Sequence, residues 1–299
     1  MKLLLFAHDG EDHVGILEDG EIIDFSRALQ AYELINRNKQ APLVTSIQEM
    51  LGQDMLVRAM IEPVLEFVAQ HNLEAEFRPP LDASGRVRLR APIRRPGKVI
   101  ASAGGYHFPG EPDPEEPPFF FKVASSVIGP EEPIIYRKIL TQVEPEIELG
   151  VVIGRRATSL AEEQAMECVA GYTVVNDVTA RALQNADWEA RRPWEYTKSI
   201  DTFTPIGPYL VLPDQVSDPH DLSLVVRING HVQLEASTSE MLFSIPYVVA
   251  FISQYMTLEP GDVIATGCPG HAGELHPGDV VELDVSEVGV LRNPVVAEG

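Results

Sequence analysis

The chain has 299 residues, 44% hydrophobic and 23% charged, a composition that suits a soluble globular protein made of one large domain, or of a large domain with a smaller partner. Its formal net charge of −22 excludes a nucleic-acid backbone or an anionic membrane as main partner, because both require a positive field. The two cysteines, Cys168 and Cys268, make no disulfide framework. The apolar stretch Met241–Tyr255 is broken by Ser244 and Pro246, and the N-terminus reads as a strand without a signal-cleavage region, so a cytoplasmic protein is expected.

The chain opens with a predicted strand in the run from Met1 to Gly10, followed by a hairpin: Val14–Leu17, an acidic Gly-containing turn over 18–20, then Ile22–Phe25. Apolar residues at helical spacing predict helices over Ser26–Asn36 and Ser46–His71. A Pro/Arg-rich passage, residues 78–97, contains an Ala-Ser-Gly turn at 83–85. Residues 1–92 are therefore read as a small N-terminal α+β domain and 93–299 as the main domain. From Lys98 onward the predicted strands are short: Lys98–Ser102, Val127–Ile128, Ile147–Ile153, Gly171–Val175, Tyr209–Val211, Leu224–Ile228, Val263–Ala265 and Val280–Val285. Helices interrupt them at Thr179–Glu189 and Ser244–Tyr255. This pattern predicts an α+β, β-dominated fold, not a doubly wound parallel sheet.

The run Val143-Glu-Pro-Glu-Ile-Glu-Leu-Gly-Val-Val-Ile153 carries most of the chemical information. Side chains two apart on a strand point the same way, roughly 6.5–7 Å apart, so Glu144, Glu146 and Glu148 share one face as the strand enters an apolar core. Like charges beside buried residues are costly unless a cation lies among them, and all-oxygen ligands suit Mg²⁺, Mn²⁺ or Ca²⁺. Asp177 stands where a strand ends and a helix begins, as a further ligand or as the helix cap. Arg181 and Gln184, three apart, share one helix face. Lys198 adds a cation shortly before the next strand.

Glu146-Ile-Glu148-Leu-Gly-Val-Val-Ile-Gly, Asn176-Asp177-Val-Thr-Ala-Arg181, the stretch Lys198–Pro208 and Gly261-Asp-Val-Ile-Ala-Thr266-Gly resemble the fumarylacetoacetate hydrolase family. So do Pro118-Phe-Phe-Phe-Lys122 and Val288-Gly-Val-Leu-Arg-Asn-Pro-Val295. The resemblance runs in order from about Lys98 to the C-terminus. It implies a mixed β-roll core, a homodimer, and Mg²⁺, Mn²⁺ or Ca²⁺ on Glu146, Glu148 and Asp177, with Glu144 outside the ligand set. It implies a small anionic 2-oxo or β-diketo acid as substrate, bound by Arg181, Gln184 and Lys198, with Tyr106, Thr266 and Cys268 near it. It points first to hydrolysis of a C–C bond in an acylpyruvate-like acid. Decarboxylation, isomerisation, tautomerisation or dehydration of a 2-oxo acid is the alternative, and a non-catalytic binding homologue a third reading.

Two departures from the family pattern stand out. Hydrolytic members carry Asn-Tyr-x-x-His-x-x-Glu on a lid, whereas this chain reads Gly105-Tyr106-His107-Phe-Pro109-Gly-Glu111, and the prolines at 109, 112 and 114 oppose a lid helix. His107 oriented by Glu111 is the candidate general base in their place. Cys268 stands where relatives usually have Thr; its Cys-x-x-His spacing to His271 leaves a nucleophilic or zinc-binding thiol as further readings. Aromatic residues over 119–121 and 188–196 are candidate walls for the substrate tail. The N-terminal domain carries no recognisable chemistry.

Overall fold

The computed structural model describes the chain apart from residues 19, 53–57, 80–86 and 111. The predicted turn at 83–85, the middle of the predicted helix 46–71 and Glu111 therefore lie outside the described residues.

The chain begins with strands β1 (Lys2–His8), β2 (Glu11–Glu18) and β3 (Glu21–Asp24), then helices α1 (Phe25–Arg37), α2 (Ile47–Gly52) and α3 (Arg58–Gln70). Strands β4 (Leu89–Arg90), β5 (Val99–Ser102), β6 (Phe119–Lys122), β7 (Val127–Ile128), β8 (Ile134–Tyr136) and β9 (Ile147–Ile153) follow, and after α4 (Glu162–Ala165) comes β10 (Val169–Asn176). Then come α5 (Arg181–Glu189), β11 (Thr204–Val211), β12 (Ser223–Ile228), β13 (His231–Ser237), α6 (Ile245–Tyr255), β14 (Val263–Ala265), β15 (Val280–Val285) and β16 (Gly289–Ala297). The long sheet runs β3-β2-β1-β11-β10-β9-β14-β5-β6, and a second sheet runs β13-β12-β15-β16-β8. The β-dominated α+β architecture expected from the run of short strands is present. Among the described residues no helix is long and apolar enough to cross a membrane.

All seven residues of β9 are buried, and the reason is visible in their alternation. Ile147, Leu149, Val151 and Ile153 enter a core shared with Leu224, Val226, Val281 and Leu283 of the second sheet. Val152 faces the opposite way, into a core that includes Phe25, Ile47 and Ile61 of the N-terminal helices. β-Branched residues suit such a doubly covered strand. Each buried Val, Ile or Leu contributes about 1.5–3 kcal/mol, enough in sum to hold Glu148 in the strand despite the several kcal/mol that burying a carboxylate costs.

The N-terminal strands do not form a sheet of their own. β1 pairs antiparallel with β11 through Lys2↔Val211 and Leu3↔Leu210, so the long sheet runs across the boundary placed at residue 92. The helices α1–α3 cover one of its faces.

Candidate metal centre and its cavity

Antiparallel pairing of β9 with β10 sets Ile147 opposite Asn176 and Glu148 opposite Val175. The chain just outside that register is held by Asp177 N donating to Glu146 O (2.9 Å) and Glu146 N donating to Asn176 Oδ1 (3.1 Å). Glu146, Glu148 and Asp177 are thereby brought together, one oxygen of each lying within 4.8 Å of the others. Asp177 does not cap the following helix. That helix starts at Arg181 with Ala180 as its cap residue, which frees the aspartate for the cluster.

Cations surround two of the three carboxylates. Lys198 Nζ reaches Glu146 Oε2 and Asp177 Oδ2, both at 2.6 Å. Lys122, wholly buried at the end of β6, reaches Asp177 Oδ1 at 2.5 Å. Arg181 bonds Glu146 through Nη2 and Glu144 through Nε (2.9 Å), and donates from Nη1 to Gln184 Oε1 at 2.5 Å. Burial opposes ionisation of Glu146, but Lys198 and Arg181 outweigh it and hold the carboxyl below its ordinary range. Burial likewise opposes the charge on Lys198, but Asp177 and Glu146 raise its affinity for the proton.

Glu148 differs from its neighbours. It is fully buried, Oε2 accepts from Gly267 N at 2.7 Å, and Oε1 has no hydrogen-bond partner. Burial, then the charges of Asp177 and Glu146, push its carboxyl well above the ordinary range. A buried carboxylate oxygen with no donor is a costly arrangement. A hard divalent cation bound by the three carboxylates would supply the missing charge, so the residues present fit Mg²⁺, Mn²⁺ or Ca²⁺.

A cavity of about 410 Å³ opens against this cluster, lined by Glu144, Glu146, Arg181, Gln184, Lys198, Cys268 and His271. Its size suits a small ligand. Phe108, Phe120, Trp188 and Trp194 supply aromatic wall. Trp194 packs edge-on against both Phe120 and Trp188, and Phe120 also lies under Lys198. Of the residues expected near a substrate, Arg181, Gln184, Lys198 and Cys268 border the cavity. Thr266 does not; its hydroxyl donates to Leu149 O at 3.0 Å. Tyr106 is buried with an unpartnered hydroxyl and lies outside the lining.

The histidine expected to act as base stands elsewhere. His107 Nδ1 lies 2.7 Å from Asp113 Oδ1, both side chains exposed, and His107 is not among the cavity residues. The described part of residues 107–118 contains no helix, in keeping with its prolines. Gly105 stands where the family pattern has asparagine, and a Cβ there would lie 2.1 Å from Thr266 O in this chain. Gly105→Ala is expected to destabilise the protein by about 1–3 kcal/mol through overpacking, measurable by urea unfolding.

Three further residues belong to the cavity or the cluster: Lys122, Glu144 and His271. Lys122 closes the motif Pro118-Phe-Phe-Phe-Lys122, from which no role for it follows. Glu144, set aside as peripheral, is buried and bonded to Arg181, Gln142 and His271. His271, three residues from Cys268, has its Nδ1 3.1 Å from Glu144 Oε2. Cys268 Sγ instead donates to Gly270 O, and burial keeps its thiol protonated well above the ordinary range, which argues against a thiolate nucleophile.

The fumarylacetoacetate (FAA) hydrolase C-terminal family matches residues 99–296. The mitochondrial oxaloacetate tautomerase FAHD2A of Homo sapiens is 39% identical over 77% of this chain and 75% of its own length. A 2-hydroxyhepta-2,4-diene-1,7-dioate isomerase from Mycobacterium marinum is 38% identical, with a TM-score of 0.65 over 71% of this chain and 79% of the isomerase. Maleylpyruvate hydrolase from Sphingobium sp. SYK-6, solved with manganese(II) and pyruvate, shares 26% identity and a TM-score of 0.75 over the whole of both chains. A tautomerase, an isomerase and a hydrolase are thus among the proteins this chain resembles, and the chain belongs to the fumarylacetoacetate hydrolase family.

Proposed function

We propose that the protein is a divalent-metal-dependent tautomerase or isomerase of small 2-oxo dicarboxylic acids. The observation that carries this reading is the cavity itself, where Glu146 of the carboxylate cluster shares the lining with Arg181 and a histidine held by a glutamate. Glu146, Glu148 and Asp177 would hold Mg²⁺ or Mn²⁺. The ion would act as a Lewis acid toward a chelating 2-oxo carboxylate, making the adjacent C–H acidic.

The chain's own residues account for the rest. Arg181 uses three of its five N–H groups on Glu144, Glu146 and Gln184, leaving donors for a distal substrate carboxylate. Lys198 adds positive charge beside any oxyanion that forms. Arg181 and His271 hold Glu144 ionised against its burial, so Glu144 accepts from His271 Nδ1–H and leaves Nε2 with a free lone pair. His271 is the group we assign to moving the proton between the carbon next to the keto group and the substrate oxygen. The tautomerase and the isomerase are more similar to this chain, at 39% and 38% identity, than the maleylpyruvate hydrolase at 26%, which supports this choice over hydrolysis, as does the pairing of His107 with Asp113 outside the cavity lining. A homodimer, as the resemblance implies, belongs to the same proposal and is tested by light scattering.

The test follows enol absorbance of oxaloacetate-like acids with Mn²⁺, Mg²⁺ or chelator. Metal-dependent enol–keto conversion with no carbon–carbon cleavage is expected. Cleavage of acylpyruvates into two acids at a higher kcat/KM would replace this reading with the hydrolytic one. Arg181→Lys should raise KM about 10–100-fold, the loss of one charged bidentate contact worth about 1.5–3 kcal/mol, with a smaller effect on kcat.

A further inference from the structure

The N-terminal sheet carries a second cluster of metal-ligand type, with a different donor set. In the β1–β2 register Phe6 lies opposite His13 and His8 opposite Glu11, and Gly15 of β2 lies opposite Asp24 of β3. Alternation along the strands then puts His8, His13 and Asp24 on one face. The other face, bearing Leu3, Leu5, Val14 and Ile16, packs against the N-terminal helices. One ligand atom from each of His8, His13 and Asp24 lies within 4.8 Å of the others. His13 Nδ1 is 3.0 Å and His8 Nδ1 3.8 Å from Asp24 Oδ2.

Four features separate this cluster from an ordinary buried His–Asp pair. Asp24 is wholly buried and His13 nearly so. His8 Nδ1 is itself buried and has no hydrogen-bond partner, although it faces the same carboxylate oxygen as His13 Nδ1. Asp24 Oδ1 already caps α1 by accepting from Arg27 N at 3.1 Å, which leaves Oδ2 toward the two imidazoles. On the outer side, His8 Nε2 lies 3.3 Å from Asp9 Oδ2, the carboxylate support that a metal-bound imidazole commonly has.

We propose that His8, His13 and Asp24 bind Zn²⁺, through Nδ1 of both histidines and Oδ2 of the aspartate. Two imidazoles and one carboxylate suit a borderline transition metal and not Mg²⁺ or Ca²⁺, so this site and the three-carboxylate centre select different ions. Zn–N and Zn–O bonds of about 2.0–2.2 Å place tetrahedral ligand atoms about 3.3–3.6 Å apart, between the two separations seen here. The bound ion would tie β1, β2 and β3 to the start of α1 and satisfy the orphan nitrogen of His8. It is separate from the cavity and takes no part in the proposed reaction.

The experiment uses the full chain, stripped with chelator, in the Glu148→Gln background so that the carboxylate centre is disabled. Zn²⁺ alone is titrated by calorimetry and by competition with a chromophoric chelator. Glu148→Gln is expected to take up one equivalent and to melt at a higher temperature with Zn²⁺. Glu148→Gln/His8→Ala should lose that equivalent and the thermal shift. His8 is partly exposed, so this variant should keep the metal-free circular dichroism of its parent; if it does not, Glu148→Gln/His8→Gln replaces it. Retention of one tight equivalent without His8, or absence of Zn²⁺ uptake by a folded Glu148→Gln, overturns the site. Neither result depends on turnover, so failure here leaves the proposed reaction standing.

Discussion

Glu148→Gln should abolish Mn²⁺ binding and lower kcat/KM by about 10³-fold or more, since a catalytic metal supplies several kcal/mol of transition-state stabilisation, while the metal-free protein becomes no less stable. Removing a buried charged side chain is ordinarily destabilising. Here the carboxylate has no cationic partner among the described residues, and glutamine keeps an acceptor for Gly267 N. The sign with pH follows from the raised Glu148 carboxyl. The folded state holds a proton that the unfolded chain releases near the ordinary value of 4.5, so this group's contribution to stability is present below that value and is lost as pH rises above it. Within that window the slope is at most about 1.4 kcal/mol per pH unit. Metal-free Glu148→Gln should therefore gain on the wild type as pH increases, by thermal melts in chelator. A variant that melts well below wild type at every pH, or that still binds Mn²⁺ tightly, would sink the assignment of Glu148 as a metal ligand.

His271→Ala carries the second large effect. Loss of a positioned general acid–base typically costs 10²–10⁴-fold, and about that loss is expected in kcat for enol–keto conversion. Mn²⁺ affinity should be unchanged and KM moved little. The side chain is 60% exposed at the cavity, so free imidazole has room to enter and should restore part of the rate, an effect that a structural role would not produce. Glu144→Gln should also lower kcat, since a glutamine can turn its amide NH₂ toward Nδ1 and no longer fixes the orientation of the imidazole. It additionally loosens Arg181, so KM should rise as well. Full activity in His271→Ala would return the search for the base to the segment around His107.

Much of the centre was legible along the chain because its determinants are local. Strand alternation by itself puts Glu146 and Glu148 on one side. The Val-Val-Ile run after them forces the pair to the edge of an apolar core, where like charges require a cation. The family motifs added Asp177 and passed over Glu144. Arg181 and Gln184 were readable from helical spacing, and the prolines around residue 109 spoke against a lid helix.

What the sequence could not decide are the meetings of residues far apart in the chain. Glu144 and His271 are 127 positions apart and meet only because β14 lies beside β9, which brings the chain after Thr266 over the carboxylates. Lys122 reaches Asp177 across 55 positions, from the strand next to β5 at the far edge of the long sheet. His8, His13 and Asp24 converge through hairpin register, which a shift of one residue would destroy. The N-terminal strands join the long sheet through Leu3 and Leu210, a pairing with no local signal. By itself the sequence indicated the class of fold and a row of carboxylates suited to a hard cation, because alternation and burial act over a few residues, and the family resemblance narrowed that row to Glu146 and Glu148 and added Asp177. Only the tertiary structure decided which histidine faces the cavity, because that depends on the order of strands in the sheet.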